Sequence, residues 1–534
     1  MKINSILVVG GGSSGWMTAA ALTKFFEGQD LKISLVESKT IPTIGVGEST
    51  IGSINAYMDI VGLKDEDWMK PCEATYKNSI RFTDFREKDT VFEYPFGGSF
   101  TNTKNQVMSW VELATTYDLP PESFAEFFNE NTFLARYNKC TKNEKGYLDA
   151  FNFKEHTAYH MNATLFGQYL KDRICIPGGV EYNVDDVIDF EKNPDGSLAA
   201  VVGSSGKKYT ADLYIDCTGF KSMILEGAMG SEFISYKPWL LNDRAIATTV
   251  PYVDKEEEMH NTTNCTAIES GWVWNIPLWS RIGTGYVYSS DFATKEQAEA
   301  DFRKHLARDP RFAERAEKAE FRHINIRHGK RKEAWVKNVL GIGLAYGFVE
   351  PLESTSLVST HSNIVRLLDI LSRRKFNVNK FDIDGFNMAT EHELDGFRDF
   401  VASHYALSSR DDTPYWKFLT QNKSFKDMDP NGHERYQNGL TFKDSFNAHM
   451  HILNIHKVWT PVSAGWNYIM GGMGYNPLSK YFLGFVLKDV PGKAAEIADF
   501  YDQWKQHREN LIAYVNELPS HYQFLKDTIY IDEK

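Results

Sequence analysis

Gly10, Gly12 and Gly15 stand in the spacing G-x-G-x-x-G, directly after the apolar run Ile6–Val9 and directly before Trp16–Leu22. The run reads as a buried parallel strand and the segment after it as the start of a helix. Gly10 permits the tight turn, Gly12 lets a pyrophosphate approach the backbone, and Gly15 lets helix and strand pack closely. The helix N-terminus then turns free N–H groups toward the phosphates. A second apolar stretch, Ile33–Val36, ends in Glu37, about 20 residues on, where a ribose 2′-OH partner is expected. Strand, glycines, helix and acid together predict an adenine dinucleotide and do not choose between FAD and NAD. Gly341-x-Gly343 lacks the third glycine of a second fingerprint, which argues against a bound NAD(P)H.

Other stretches offer chemistry with a plainer reading beside it. Gly45–Val46–Gly47–Glu48–Ser49–Thr50 makes a loop whose backbone can come near a ligand, or a connection in which Ser49 or Thr50 caps a helix starting near Ile51. Ser354, Thr355 and Ser356 precede an apolar helix beginning near Leu357, which is capping chemistry and also a ready anion site. Taken alone, Lys77 is a surface lysine. His160 reads as a packed or capping histidine, with no carboxylate spacing that marks a metal ligand. Period-two spacing places Trp272, Trp274 and Ile276 on one strand face, and Pro277 limits that strand or marks it as an edge. By pattern alone this is a buried aromatic stripe.

These residues need elements to hold them. The length, 534 residues, allows one to three domains and a large core. The net charge of −12 argues against nonspecific nucleic-acid binding and against anionic membrane surfaces. Five scattered cysteines without C-x-x-C fit a reduced compartment and give no metal or disulfide framework. No stretch approaches a membrane span, and the expected location is cytoplasmic. Arg81–Phe85 alternates like a strand, Phe92–Phe153 reads as loops and short helices, and a helix is expected from Ala163 to Asp172. Ala211–Phe220 is a strand entering a glycine turn, Gly283–Tyr288 returns as antiparallel partner of the tryptophan strand, and Val339–Ala345 is a strand running into glycines. From Glu391 onward the reading is mainly helical.

Four pieces together resemble the flavin-dependent tryptophan halogenases: Gly10–Trp16, Lys77 within Ala74–Lys77, the W-x-W-x-I-P of Trp272–Pro277, and Glu350–Thr355. Pro42–Thr50, Asp216–Phe220, Gly283–Ser289 and Arg398–Trp416 look similar as well, so the resemblance spans about residues 1–420. It implies an α/β chain with an FAD-binding dinucleotide fold of the flavin monooxygenase type, an additional antiparallel sheet and a mainly helical C-terminal part. The expected division is 1–395, carrying FAD and inserted substrate and tunnel segments, and 396–534, completing the substrate pocket. FADH2 supplied by a separate flavin reductase, O2 and a halide would give hypohalous acid, which is held at Lys77 beside a small aromatic substrate. Glu353 polarises that species or removes the ring proton. Cofactor contacts fall on Gly10, Gly12, Ser13, Ser14, Gly15, Glu37, Gly47, Glu48, Ser49, Gly343 and Leu357, and halide contacts on Thr355 and Ser356. Trp272, Trp274, Pro277, Phe96, Trp466 and Asn467 are expected to line tunnel and substrate, with no metal and a homo-oligomeric state.

Two departures set the expected specificity. Ser356 stands where the family usually has glycine, which alters the halide cage and favours bromide over chloride. The segment Trp459–Tyr468 only loosely resembles the part that grips the amino-acid end of tryptophan, which favours small indoles or phenols. A flavin monooxygenase is the rival enzyme and would consume NAD(P)H alone. A flavin-binding partner without activity is the other rival, and the presence of both Lys77 and Glu353 argues against it.

Overall fold

The computed structural model describes residues 1–39, 47–97, 110, 112–406, 408–421, 471–473 and 490–532. The chain divides into two compact units, each assembled from three separate stretches: 1–74, 160–243 and 325–398 in the first, 75–159, 244–324 and 399–534 in the second. Residues before 395 therefore contribute to both.

The first unit is built on a six-stranded sheet. Its order is Trp335–Val336, Val339–Gly341, Leu213–Asp216, β1 (Ser5–Val9), β2 (Lys32–Glu37) and Glu181–Val184. β1 pairs in parallel with β2 and with Leu213–Asp216. Ile6, Leu7, Val8 and Val9 are all buried, as a strand covered on both faces requires. Helix α1 (Ser13–Phe25) is apolar nearly all round and buries Trp16, Met17 and Ala19–Leu22, so it lies inside the unit. Tyr57, in α2 (Ile54–Val61), donates from its hydroxyl to the Met17 carbonyl at 2.9 Å and ties the two helices. Leu7, Val9, Val36, Tyr214, Leu225 and Val339 form one core cluster around the sheet.

The second unit carries a seven-stranded sheet, ordered Arg322–Asn325, Arg244–Val250, Ile282–Tyr288, Gly271–Pro277, Thr262–Ile268, Ser79–Thr83 and Val91–Pro95. The tryptophan strand and its return pair antiparallel, Trp274 facing Gly285 and Trp272 facing Val287. One pair is parallel, Ser79–Thr83 with Thr262–Ile268, because the long chain between them makes a crossover where a hairpin would force antiparallel pairing. The helices Asn131–Arg136 and Lys493–Glu517 share a core of Phe133, Leu134, Leu511 and Val515. The described residues of the C-terminal part are mainly helical, through Lys380–Ala406, Pro414–Gln421, Lys493–Glu517 and His521–Thr528.

Of the two readings of Pro277, the structure shows the first: it limits its strand, which lies inside the sheet. Three local boundaries differ from expectation. The helix expected near Ile51 starts at Ile54, and Ser49 belongs to the two-residue strand β3 (Glu48–Ser49) instead of capping it. The α-helix from Ala163 ends at Leu170 and passes into one π-helical turn, Lys171–Cys175. The helix expected near Leu357 starts at Thr355. No described helix is long and apolar enough to cross a membrane.

Candidate active site

Within the first unit the glycine turn is shaped by what surrounds it. Gly10 has φ +115°, and a Cβ there would collide with the Cys217 carbonyl. A Cβ on Gly15 would strike the Gly10 carbonyl. Gly12 is different: a Cβ there would meet nothing within 4 Å, and no side chain caps α1. The helix start is thus an open cradle of N–H groups, the arrangement a pyrophosphate fits. Gly11, which the motif leaves unspecified, is needed because the Glu37 carboxylate lies across it. Tyr182 donates to Glu37 Oε2 at 2.8 Å and holds that acid at the end of β2. Burial, with Glu37 adding to it, pushes the Tyr182 phenol up to about 12, so it stays a donor. These residues fit the dinucleotide half of FAD.

The remaining cofactor candidates lie around the same turn. The Ser13 hydroxyl donates to the Ala163 carbonyl. A Cβ on Gly343, which has φ +67°, would collide with Ser14 and sit 3.3 Å from Thr360 Oγ1. Gly341 is packed against Leu225 and Tyr346 in the same sense. Both glycines therefore serve close packing, in keeping with the missing second fingerprint. Gly47, at φ +104°, leads into β3, where Glu48 pairs with Met161 and Ser49 with His160. Burial pushes the Glu48 carboxyl up to about 7. His160 is fully buried, the packed alternative of the sequence reading. Residues 40–46 of this segment lie outside the described residues.

The turn that carries Glu353 is held from several sides. Pro351–Glu353 forms a 3-10 turn, and Ser354 follows at φ +57° without capping the helix. Its hydroxyl instead donates to Ser49 Oγ at 3.0 Å. Asn242 Nδ2 donates to Glu350 Oε2 at 2.8 Å, the Glu350 N–H donates to His328 Nδ1 at 3.1 Å, and His328 Nε2 reaches the Asn242 carbonyl. Burial pushes His328 down to about 4, so this ring of contacts uses neutral imidazole. Glu353 and Leu357 are buried. Thr355 is buried as well, and its Oγ1 has no hydrogen-bond partner. An orphaned hydroxyl beside an uncapped helix start is a donor set suited to a small anion. Ser356 is half-buried, and its carbonyl accepts from Thr360 Oγ1 at 3.1 Å.

In the second unit Lys77 is 0% exposed, which the composition of an average surface does not suggest. It ends the strand Thr75–Lys77, and its Nζ lies 4.8 Å from the centre of the Phe96 ring. Buried asparagines fix both neighbours. The Phe96 N–H donates to the Asn78 carbonyl, Asn129 and Asn131 donate to the Phe96 carbonyl, and Asn78 Nδ2 donates to Asn131 Oδ1 at 2.7 Å. Trp272 and Trp274 are both buried, with ring centres 6.2 Å apart. A Cβ on Gly285 would run into the Trp274 ring, so the return strand needs glycine there. Thr75 Oγ1 donates to the Pro277 carbonyl at 2.7 Å. Trp466 and Asn467 lie outside the described residues. Sequence reasoning missed Gly11, Tyr182, Asn131 and Gly285; the run of three glycines and the repeated glycine of Gly283-x-Gly285 were the available signals for two of them.

Comparison with known proteins decides the family. The model for "Tryptophan halogenase" matches residues 5–481. The chain belongs to the tryptophan halogenase family. It is 33% identical over 539 residues to the 7-chloro-L-tryptophan 6-halogenase KtzR of Kutzneria sp. (strain 744), covering 97% of this chain and 98% of that one. Among solved structures it is similar to VirX1 in its apo structure, at 45% identity and TM-score 0.87 over 99% of each chain. It is also similar to BrvH, a flavin-dependent halogenase from Brevundimonas sp. BAL3, at 30% identity and TM-score 0.80 over 98% and 99% of the two chains. This tryptophan halogenase homologue is an enzyme of the flavin-dependent halogenase class, acting on aromatic substrates with FAD, halide and O2.

Proposed function

We propose that the enzyme halogenates a small indole-like ring through an oxidised halogen species held at Lys77, with FADH2 delivered by a separate reductase. The observation that carries this reading is Lys77 itself, a fully buried ammonium or amine set against an aromatic face. When bound, reduced FAD would supply the electrons that activate dioxygen, and dioxygen the oxidising equivalent for halide. Gly10, Gly12, Gly15 and the α1 N-terminus hold its pyrophosphate, and Glu37 its ribose. Thr355 Oγ1 and the N–H groups that follow it hold the halide.

Lys77 takes up hypohalous acid either as a hydrogen-bond donor or by forming an N–halogen bond with loss of water. The carbon–halogen bond then forms on the aromatic ring, and Glu353 accepts the ring proton. Trp272 and Trp274 bar the organic substrate from the oxygen chemistry, which separates halogenation from hydroxylation. Ser356 adds a side chain where the cage would otherwise have glycine and re-shapes it, and bromide, which sheds its water more easily and is oxidised more readily than chloride, tolerates the imperfect fit and is taken in preference. Small indoles or phenols are taken in preference to free tryptophan. A competition between equal bromide and chloride, then between indole and tryptophan, tests the specificity; chlorotryptophan as main product overturns it.

A further inference from the structure

The second unit contains an open cavity of about 940 Å³, within the size range of small-molecule sites. Its floor is one row of the seven-stranded sheet, where Glu93, Arg81, Asn264 and Asn275 stand opposite one another across four strands. Side chains alternate along a strand, so Asn275 points away from the face that carries Trp272, Trp274 and Ile276. The cavity is therefore separate from the tryptophan stripe. Helix Lys493–Glu517 supplies one wall, with Tyr501, Trp504 and Arg508.

The charges around this space do not cancel. Five basic side chains line it against four carboxylates, and one of the four, Glu122, is already paired with Arg86 outside the lining. Arg136 and Arg508 both turn to the single carboxylate of Glu126, while Arg81 pairs with Glu93 at 2.7 Å. Three guanidinium groups thus share two acids in a partly desolvated space. Burial, with Arg508 and Arg81 adding to it against Glu93, lowers Arg136 from the usual guanidinium range, so an added carboxylate beside it would favour its charged form. His260 also lines the cavity; its Nδ1 is buried and makes no hydrogen bond. Trp504 is half-buried beside Tyr501, ring centres 6.0 Å apart, and offers an aromatic surface.

We propose that this cavity is a second ligand site that binds a small aromatic carboxylate, its carboxylate on the Arg81–Arg136–Arg508 group and its ring against Trp504. Guanidinium pairs carboxylate in a fixed fork, and a half-buried indole adds ring contact. The site is independent of the halogenation chemistry and of the residues assigned to it.

Isothermal titration of the full-length, FAD-loaded protein tests this with indole-3-acetate and benzoate, and with inorganic phosphate as the anion without a ring. One saturable site is expected for both carboxylates, and it should survive saturating indole. Arg136→Gln should raise Kd by about tenfold or more, the loss of a charge-assisted contact. Asn275→Leu, which fills the floor without breaking an ion pair, should weaken binding comparably and keeps the test valid if Arg136→Gln fails to fold. No saturable binding, phosphate binding as tightly as benzoate, displacement by indole, or unchanged affinity in Asn275→Leu would each overturn the proposal.

Discussion

Glu353 and Thr355 are three and five residues from Glu350 but are asked to do different things, and single substitutions separate them. Glu353→Gln keeps the shape of the turn and removes the proposed base; halogenation should fall by about 10²–10⁴-fold, as for a lost general base, while flavin reoxidation continues. Stopped-flow reoxidation beside product quantification checks both halves. Thr355→Val removes the orphaned hydroxyl without changing the buried volume much. The expected result is a halide KM raised by about tenfold, one lost hydrogen bond to a charged group, with the aromatic KM unchanged. A raised aromatic KM instead would place Thr355 elsewhere in the site.

At the scale of the element, the tryptophan strand depends on the glycine opposite it. Gly285→Val would push against the Trp274 ring and should cost about 1–3 kcal/mol of stability, as overpacking does. With the ring displaced, hydroxylated product should appear beside halogenated product, read by mass spectrometry alongside a thermal melt. This strand and its return were legible in the sequence because period-two spacing and Gly283–Tyr288 both pointed to one antiparallel pair. The β1–α1–β2 unit was legible for a similar reason, since the glycine spacing and the acid after β2 leave few other folds.

Other elements were hidden for physical reasons. Tyr182 reaches Glu37 across 145 residues of chain, a contact no local pattern carries. The helix expected near Leu357 opens at Thr355, and Ser354 before it adopts a left-handed conformation, rare for serine, which normally caps from an extended one, so the capping expected of it does not form. Lys77 is the clearest case at the site. Composition makes any lysine a surface residue, and only its family motif pointed to a role; its burial is a property of the fold.

Among the described residues, buried and half-buried histidines tie stability to pH. His260, His328, His361 and His521 are each pushed down to about 4 by burial, and His305 to about 3. The unfolded chain therefore binds more protons than the folded one between pH 6.5 and 4, so stability is lost as pH falls through that window. Glu48 and Glu130, pushed up to about 7 by burial, act in the opposite direction and only partly offset five histidines. Urea midpoints should fall steadily from pH 6.5 to pH 4; a flat profile would contradict this balance.

The central claim is that a buried lysine, downstream of the flavin, hands the halogen to the ring. It is tested most directly by the reconstituted reaction of wild type and Lys77→Ala with FAD, an independent flavin reductase, NADH, oxygen, bromide and indole, following flavin reoxidation and bromoindole in the same sample. Wild type should give bromoindole and should oxidise no NADH when the reductase is left out. Lys77→Ala should reoxidise flavin at the wild-type rate and yield no bromoindole. Bromoindole formed by Lys77→Ala at the wild-type rate would contradict the account.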